Sequence, residues 1–146
     1  MSGSPSIPFE TTLRVRDCCL CLHVQRAARA LGRRFDEALR PVGLTNGQFS
    51  LIMSLNRPEP PAMASVAALL AMDRTTLTAA LKPLERRGLV RVVPDRQDRR
   101  SRRLSLTPKG MALLAAATPI WEQTHRDVEA QLKDPGRLRT ALRALA

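Results

Sequence analysis

The sequence is short of most of what catalysis and membrane insertion require. It has two histidines in 146 residues, no glycine-rich phosphate loop and no group of residues at metal-ligand spacing. No assembled triad, metal centre or cofactor site is therefore expected, and the chain does not read as an enzyme. No run approaches the ~20 consecutive apolar residues that span a bilayer. The opening MSGSPSIPFETT lacks the basic-then-apolar order of a signal peptide, so a cytoplasmic protein with no membrane partner is expected. The three cysteines, Cys18, Cys19 and Cys21, are an odd number crowded into one turn, which suits a reducing compartment and not a disulfide framework. Acidic residues are scarce as well, 13 against 24 basic ones, for a formal net charge of +11.

That excess is concentrated. Between Arg74 and Lys109 eleven basic residues face only Glu85, Asp95 and Asp98, a local charge of +8. Clustered Arg and Lys are the footprint of a partner with dense negative charge, a nucleic acid or an anionic membrane surface. The length fits one domain with a core of its own.

Periodicity orders the elements. Apolar residues at 20, 24, 27, 28, 31, 35, 38, 39 and 42 predict one long amphipathic helix from Leu20, with Cys18 at its start, ended by Pro41 and Gly43. Thr45 and Gln48 form a capping-box pattern ahead of a second helix. A short helix at about Ala64 to Leu70 and another from Arg74, capped by Asp73, have the outline of a helix-turn-helix. Pro83 predicts a bend late in the second of these, and Gly88 its end. Leu89 to Val93 and Arg103 to Leu106 alternate as two antiparallel strands, with Val90, Val92, Leu104 and Leu106 inward. Thr107 and Pro108 start a further helix, with Pro119 as a potential kink, and Asp134-Pro-Gly136 precedes a last one carrying Leu138, Leu142 and Leu145.

A helix-turn-helix followed by a hairpin with a basic tip is a winged helix. The runs LTNGQFSLI, DRTTLTAALKPLERRGLV and DRQDRRSRRLSLTPKG, in that order, resemble the MarR family of bacterial transcription regulators. The resemblance implies a mainly α fold with a two-stranded β wing. It implies a single domain over 1–146, in which 10–43 and 108–146 form a helical dimerisation region and 45–107 the DNA-binding lobe. It also implies a homodimer on near-palindromic double-stranded DNA. The recognition-helix candidates are Arg74, Thr75, Thr76, Thr78 and Lys82, with Ala79 standing where many members carry Arg. In the wing, Asp98 and Arg100 match a pair in which the carboxylate orients a guanidinium into the minor groove, where a narrow A·T-rich tract is most negative. Arg96 and Arg99, with Arg102 and Arg103, are assigned to phosphate contacts or strand-edge solvation. Ala71 occupies a turn position where many members have Gly.

Two triggers are compatible with this reading. Cys18, at a helix start that would favour its thiolate, resembles the placement of a peroxide-sensing cysteine in one branch of the family, with Cys21 as resolving partner. That branch holds its thiolate with tyrosines, and this chain has none. His23, Arg26 and Trp121 are candidates to line a pocket for a small aromatic effector. A metal site is disfavoured, since Cys18 and Cys21 supply two soft ligands where closed zinc needs four. The rival function is a sequence-nonspecific architectural protein of the nucleic acid, which charge alone does not separate from a regulator.

Overall fold

The computed structural model describes residues 3–146. Among them the order is α1 (Phe9–Cys18), α2 (Leu20–Leu39) with a 3-10 turn at Arg40–Val42, α3 (Asn46–Ser54), α4 (Met63–Leu70), α5 (Arg74–Arg86), β1 (Val90–Pro94), β2 (Arg102–Leu106), α6 (Pro108–Glu129) and α7 (Pro135–Arg143). This is the mainly α fold with a two-stranded antiparallel wing that the sequence predicts. The chain forms two compact units, Met1–Arg34 and Phe35–Ala146.

In the first unit the structure corrects the sequence reading. Cys18 is the last residue of α1, not the first of a long helix, and Cys19 leaves the helical region (ψ 110°) before α2 begins at Leu20. The break is one residue wide. The Cys19 N–H still bonds the Val15 carbonyl, and the Cys19 carbonyl accepts the His23 N–H. Apolar periodicity does not pick out α1, because Phe9, Leu13 and Val15 make too thin a stripe, and the helix buries no residue.

In the second unit, Thr45 and Gln48 form the full capping box at the start of α3. Asp36 accepts the Asn46 backbone N–H at 2.7 Å and its side-chain amide at 2.8 Å. Those bonds, the backbone one foremost, hold the Asp36 carboxyl below the usual carboxylate range. The tie therefore contributes fully above the unfolded-state pKa and is lost as pH falls through the lowered folded value. The core is aliphatic: Leu39, Leu51, Ile52, Val66, Leu77, Leu81, Leu84, Leu89 and Leu104 are fully buried. At roughly 1.5–3 kcal/mol for each such side chain, this cluster dominates the stabilisation of the second unit.

The wing has the expected inward faces, with Val90 opposite Leu106 and Val92 opposite Leu104. A further pairing was missed. Leu104 donates its N–H to the Pro61 carbonyl at 2.9 Å, and Ala62 bridges Arg103. The stretch PEPPA reads as loop because proline cannot donate to a ladder, yet its carbonyl can still accept at a sheet edge. Helix α5 runs unbroken through Pro83, and α6 through Pro119.

Ala71 adopts the left-handed conformation, φ 52° and ψ 43°, at the end of α4. A Cβ there is strained by on the order of 1 kcal/mol, and the structure tolerates it to make the turn into α5. Ala71→Gly is expected to raise the denaturant midpoint, partly offset by the freer unfolded chain. A midpoint that falls would mean the turn is not left-handed in solution.

Candidate nucleic-acid interface

The recognition-helix candidate α5 is oriented by its two ends and its buried face. At the N-terminus the Asp73 carboxylate accepts the Thr76 N–H at 2.7 Å, and this bond, followed by the Thr76 side chain, draws the Asp73 carboxyl below its ordinary value. Leu77, Leu81 and Leu84 face the core, leaving Arg74, Thr75, Thr76, Thr78, Ala79 and Lys82 exposed. Only Thr78 turns partly inward, its hydroxyl 4.0 Å from the Met63 sulfur.

Between α5 and the wing lies a groove of about 280 Å³. It brings together Arg74, Thr78 and Lys82 of α5, Arg100 of the wing tip and Arg102 of β2, with Glu85 as the one acid in its lining. Thr75, Thr76, Arg96 and Arg99 are exposed beside it. Arg102 is a groove residue that sequence reading left among edge contacts. Its position follows from strand register, since Arg102 pairs with Pro94.

The wing tip is built differently from the expectation. The Asp98 carboxylate accepts the Arg100 backbone N–H at 3.0 Å and the Ser101 hydroxyl at 3.4 Å, so it shapes the turn instead of holding the Arg100 guanidinium. The oriented arginine is Arg103. Its Nε donates to Asp95 at 3.0 Å and its Nη1 to the Pro60 carbonyl at 3.0 Å, tying the wing to the segment before α4. Arg103 therefore braces the wing edge, with its side chain still partly exposed. Asp95, which receives the Gln97 N–H and then Arg103, is held below the usual carboxylate range.

The base of the wing is clamped by Thr107 to Gly110. The Thr107 hydroxyl donates to the Gly88 carbonyl at 2.6 Å and accepts the Gly110 N–H at 3.0 Å. Lys109 donates to the Arg87 carbonyl at 2.9 Å, satisfying the end of α5. Gly110 lies so close to the turn ahead of β1 that a Cβ on it would sit 2.0 Å from the Leu89 oxygen.

The effector and sensor candidates fall in separate surroundings. Trp121 is sandwiched between Phe49 (centroids 6.0 Å apart) and His125 (4.6 Å). It lines a mainly apolar cavity of about 560 Å³ with Phe49, Met53, Leu69 and Arg57. A smaller cavity of about 250 Å³ shares Phe49, Ser50 and Trp121 and adds Asn46 and His125. His23 and Arg26 line a polar groove on α2. Cys18, Cys19 and Cys21 are free thiols, with Cys18 and Cys21 exposed and Gln25 donating to the Cys21 sulfur at 3.2 Å. Cys18 is the last residue of α1, so it ends one helix where the sequence places it at the start of another. Among the described residues, no helix is long and apolar enough to cross a membrane.

Comparison with known proteins places this arrangement. The MarR family profile matches residues 44–101. The HTH-type transcriptional regulator TtmR of Methylorubrum extorquens (strain PA1) is 37% identical over 97 residues, 66% of this chain and 50% of the relative. The chain thus aligns with about half the length of that curated relative. The crystal structure of the M. tuberculosis transcriptional regulator MosR in complex with DNA superposes with a TM-score of 0.81 at 42% identity, covering 87% of this chain and 92% of that one. The transcriptional repressor CouR bound to a 23-mer DNA duplex superposes with a TM-score of 0.72 at 30% identity, covering 97% and 96%.

Proposed function

The chain belongs to the MarR family, and from that premise we propose that it is a sequence-specific DNA-binding transcription regulator, a homodimeric repressor released from a near-palindromic operator by a small molecule. The observation that carries the reading is the basic groove between α5 and the wing, where Arg74, Lys82, Arg100 and Arg102 converge around Thr78. Helix α5 enters the major groove, Thr78 faces base edges, and the wing-tip arginines follow the backbone and minor groove. The supporting feature for a small-molecule signal is the apolar cavity at Trp121, with an aromatic wall and Arg57 as its cationic group. An aromatic acid is the ligand class that this lining fits.

Arg100→Ala is expected to weaken operator binding by about 1–3 kcal/mol, most strongly where the flanking minor groove is A·T-rich. Lys82→Ala should weaken all sequences alike and flatten the salt dependence, whereas Thr78→Ala should alter sequence preference. Asp98→Asn separates two roles. It keeps an acceptor for the Arg100 N–H, so near-parental affinity is expected if Asp98 shapes the turn, and a loss equal to that of Arg100→Ala would restore the guanidinium-orienting role. The rival, sequence-blind packaging, is decided by the ratio of specific to nonspecific affinity at fixed salt. A regulator prefers its site by ~10³ or more, and a ratio near one would overturn the proposal.

Oxidative release is the second reading, supported by the exposure of Cys18 and Cys21 on either side of the break at Cys19. Joining them would pull on the α1–α2 junction. The check is operator affinity before and after peroxide for the parent and Cys18→Ser, with no change in either eliminating the switch.

A further inference from the structure

We propose that one face of α2 is a binding site for a compact polyanion carrying two or more phosphate groups, distinct from the DNA groove and from the Trp121 cavity. His23, Arg26, Arg29 and Arg33 line an open groove of about 530 Å³, with Ala27 and Ala30 between them. The spacing 26, 29, 33 puts each arginine one turn from the next on the same face, with Cβ atoms about 5–6 Å apart. Two adjacent arginine pairs result, Arg26 with Arg29 and Arg29 with Arg33, each able to grip one phosphate through planar, bidentate donors. The two alanines add only methyl groups, so an anion can approach the helix between the long side chains.

Three features distinguish this strip from an ordinary solvated face. From Cys18 to Phe35 the chain contains no acid at all, and the arginines of the strip take part in none of the ion pairs seen among the described residues. Elsewhere on α2 the pattern differs, since Arg40 just beyond its end pairs with Glu37. Like charges one turn apart repel and destabilise a helix, and a bound polyanion converts that repulsion into affinity. Finally, His23 is held in place: its Nδ1 donates to the Cys19 carbonyl at 2.8 Å, which leaves Nε2 free beside the arginines. The geometry places the groove next to the one-residue break between α1 and α2, so an occupant would act on that junction.

The test uses the full-length protein and inorganic pyrophosphate, titrated by calorimetry at constant ionic strength, with sulfate as the singly anionic-group control. Pyrophosphate is expected to bind measurably tighter than sulfate. Arg29→Ala should weaken it about tenfold or more, because Arg29 belongs to both pairs, while Arg26→Ala and Arg33→Ala each lose less and Arg29→Lys keeps the charge but not the bidentate grip. All three sites are exposed on a helix, so circular dichroism should show the fold intact. Equal binding of pyrophosphate and sulfate, or an Arg29→Ala isotherm matching the parent, overturns the proposal. So does an Arg29→Ala variant whose operator binding loses salt dependence while its pyrophosphate isotherm is unchanged, since the strip would then be part of the DNA surface.

Discussion

Replacing Gly110 with alanine is expected to destabilise the protein by about 2–4 kcal/mol, visible as a fall in thermal midpoint of roughly 5–15 °C. The added Cβ would stand 2.0 Å from the Leu89 carbonyl oxygen and 3.0 Å from its carbon. Both atoms are backbone, so no rotamer change relieves the clash. Relief requires α6 to move away from the Leu89 backbone, and that movement breaks the bonds from Thr107 to the Gly88 and Leu89 carbonyls. Because the same clamp sets the wing against α5, operator affinity should fall even at temperatures where the variant remains folded. Gly47→Ala is the internal control: nothing lies within 4 Å of its Cβ, and an alanine in α3 should be neutral or stabilising by about 0.5–1 kcal/mol. A Gly110→Ala protein as stable as the Gly47→Ala protein would show that the start of α6 and the Leu89 backbone are not in close contact.

The second large effect is expected on α7 and tests the proposed homodimer. Leu138, Leu142 and Leu145 are 43%, 42% and 64% exposed, and α7 contains no buried residue. In an isolated chain, Leu138→Glu with Leu142→Glu would therefore change little. If two chains cover these leucines, the double variant should sediment as a monomer at micromolar concentrations where the parent is a dimer. Operator affinity should then drop by about 10²-fold or more, because each lobe binds its half-site without the other's effective concentration. A chain ending at Asp134 should behave in the same way. A double variant that remains dimeric would move the interface away from α7.

Much of the DNA-binding lobe was legible because local chemistry and burial point the same way there. Asp73, Thr45 and Thr107 are caps whose side chains meet the backbone groups that the sequence assigns to them. Leu77, Leu81 and Leu84 recur at helical spacing, so the exposed face of α5 follows from the buried one. The inward face of the hairpin followed from alternation, with Val90 and Leu104 buried and Val92 and Leu106 packed against the core.

What the sequence by itself determined was the order of elements from α2 onward, the polarity of each face and the concentration of positive charge, because helix periodicity, strand alternation, caps and charge are local properties. Tertiary structure alone decided which charges are available. Arginines crowd the wing with nothing local to distinguish them, yet Arg103 is spent on Asp95 and Pro60, and Arg102 turns into the groove. Gly110 was likewise silent, since its reason is the carbonyl of Leu89, twenty-one positions away in the chain. Those assignments depend on partners distant in sequence, and only packing brings such partners within hydrogen-bonding or contact distance.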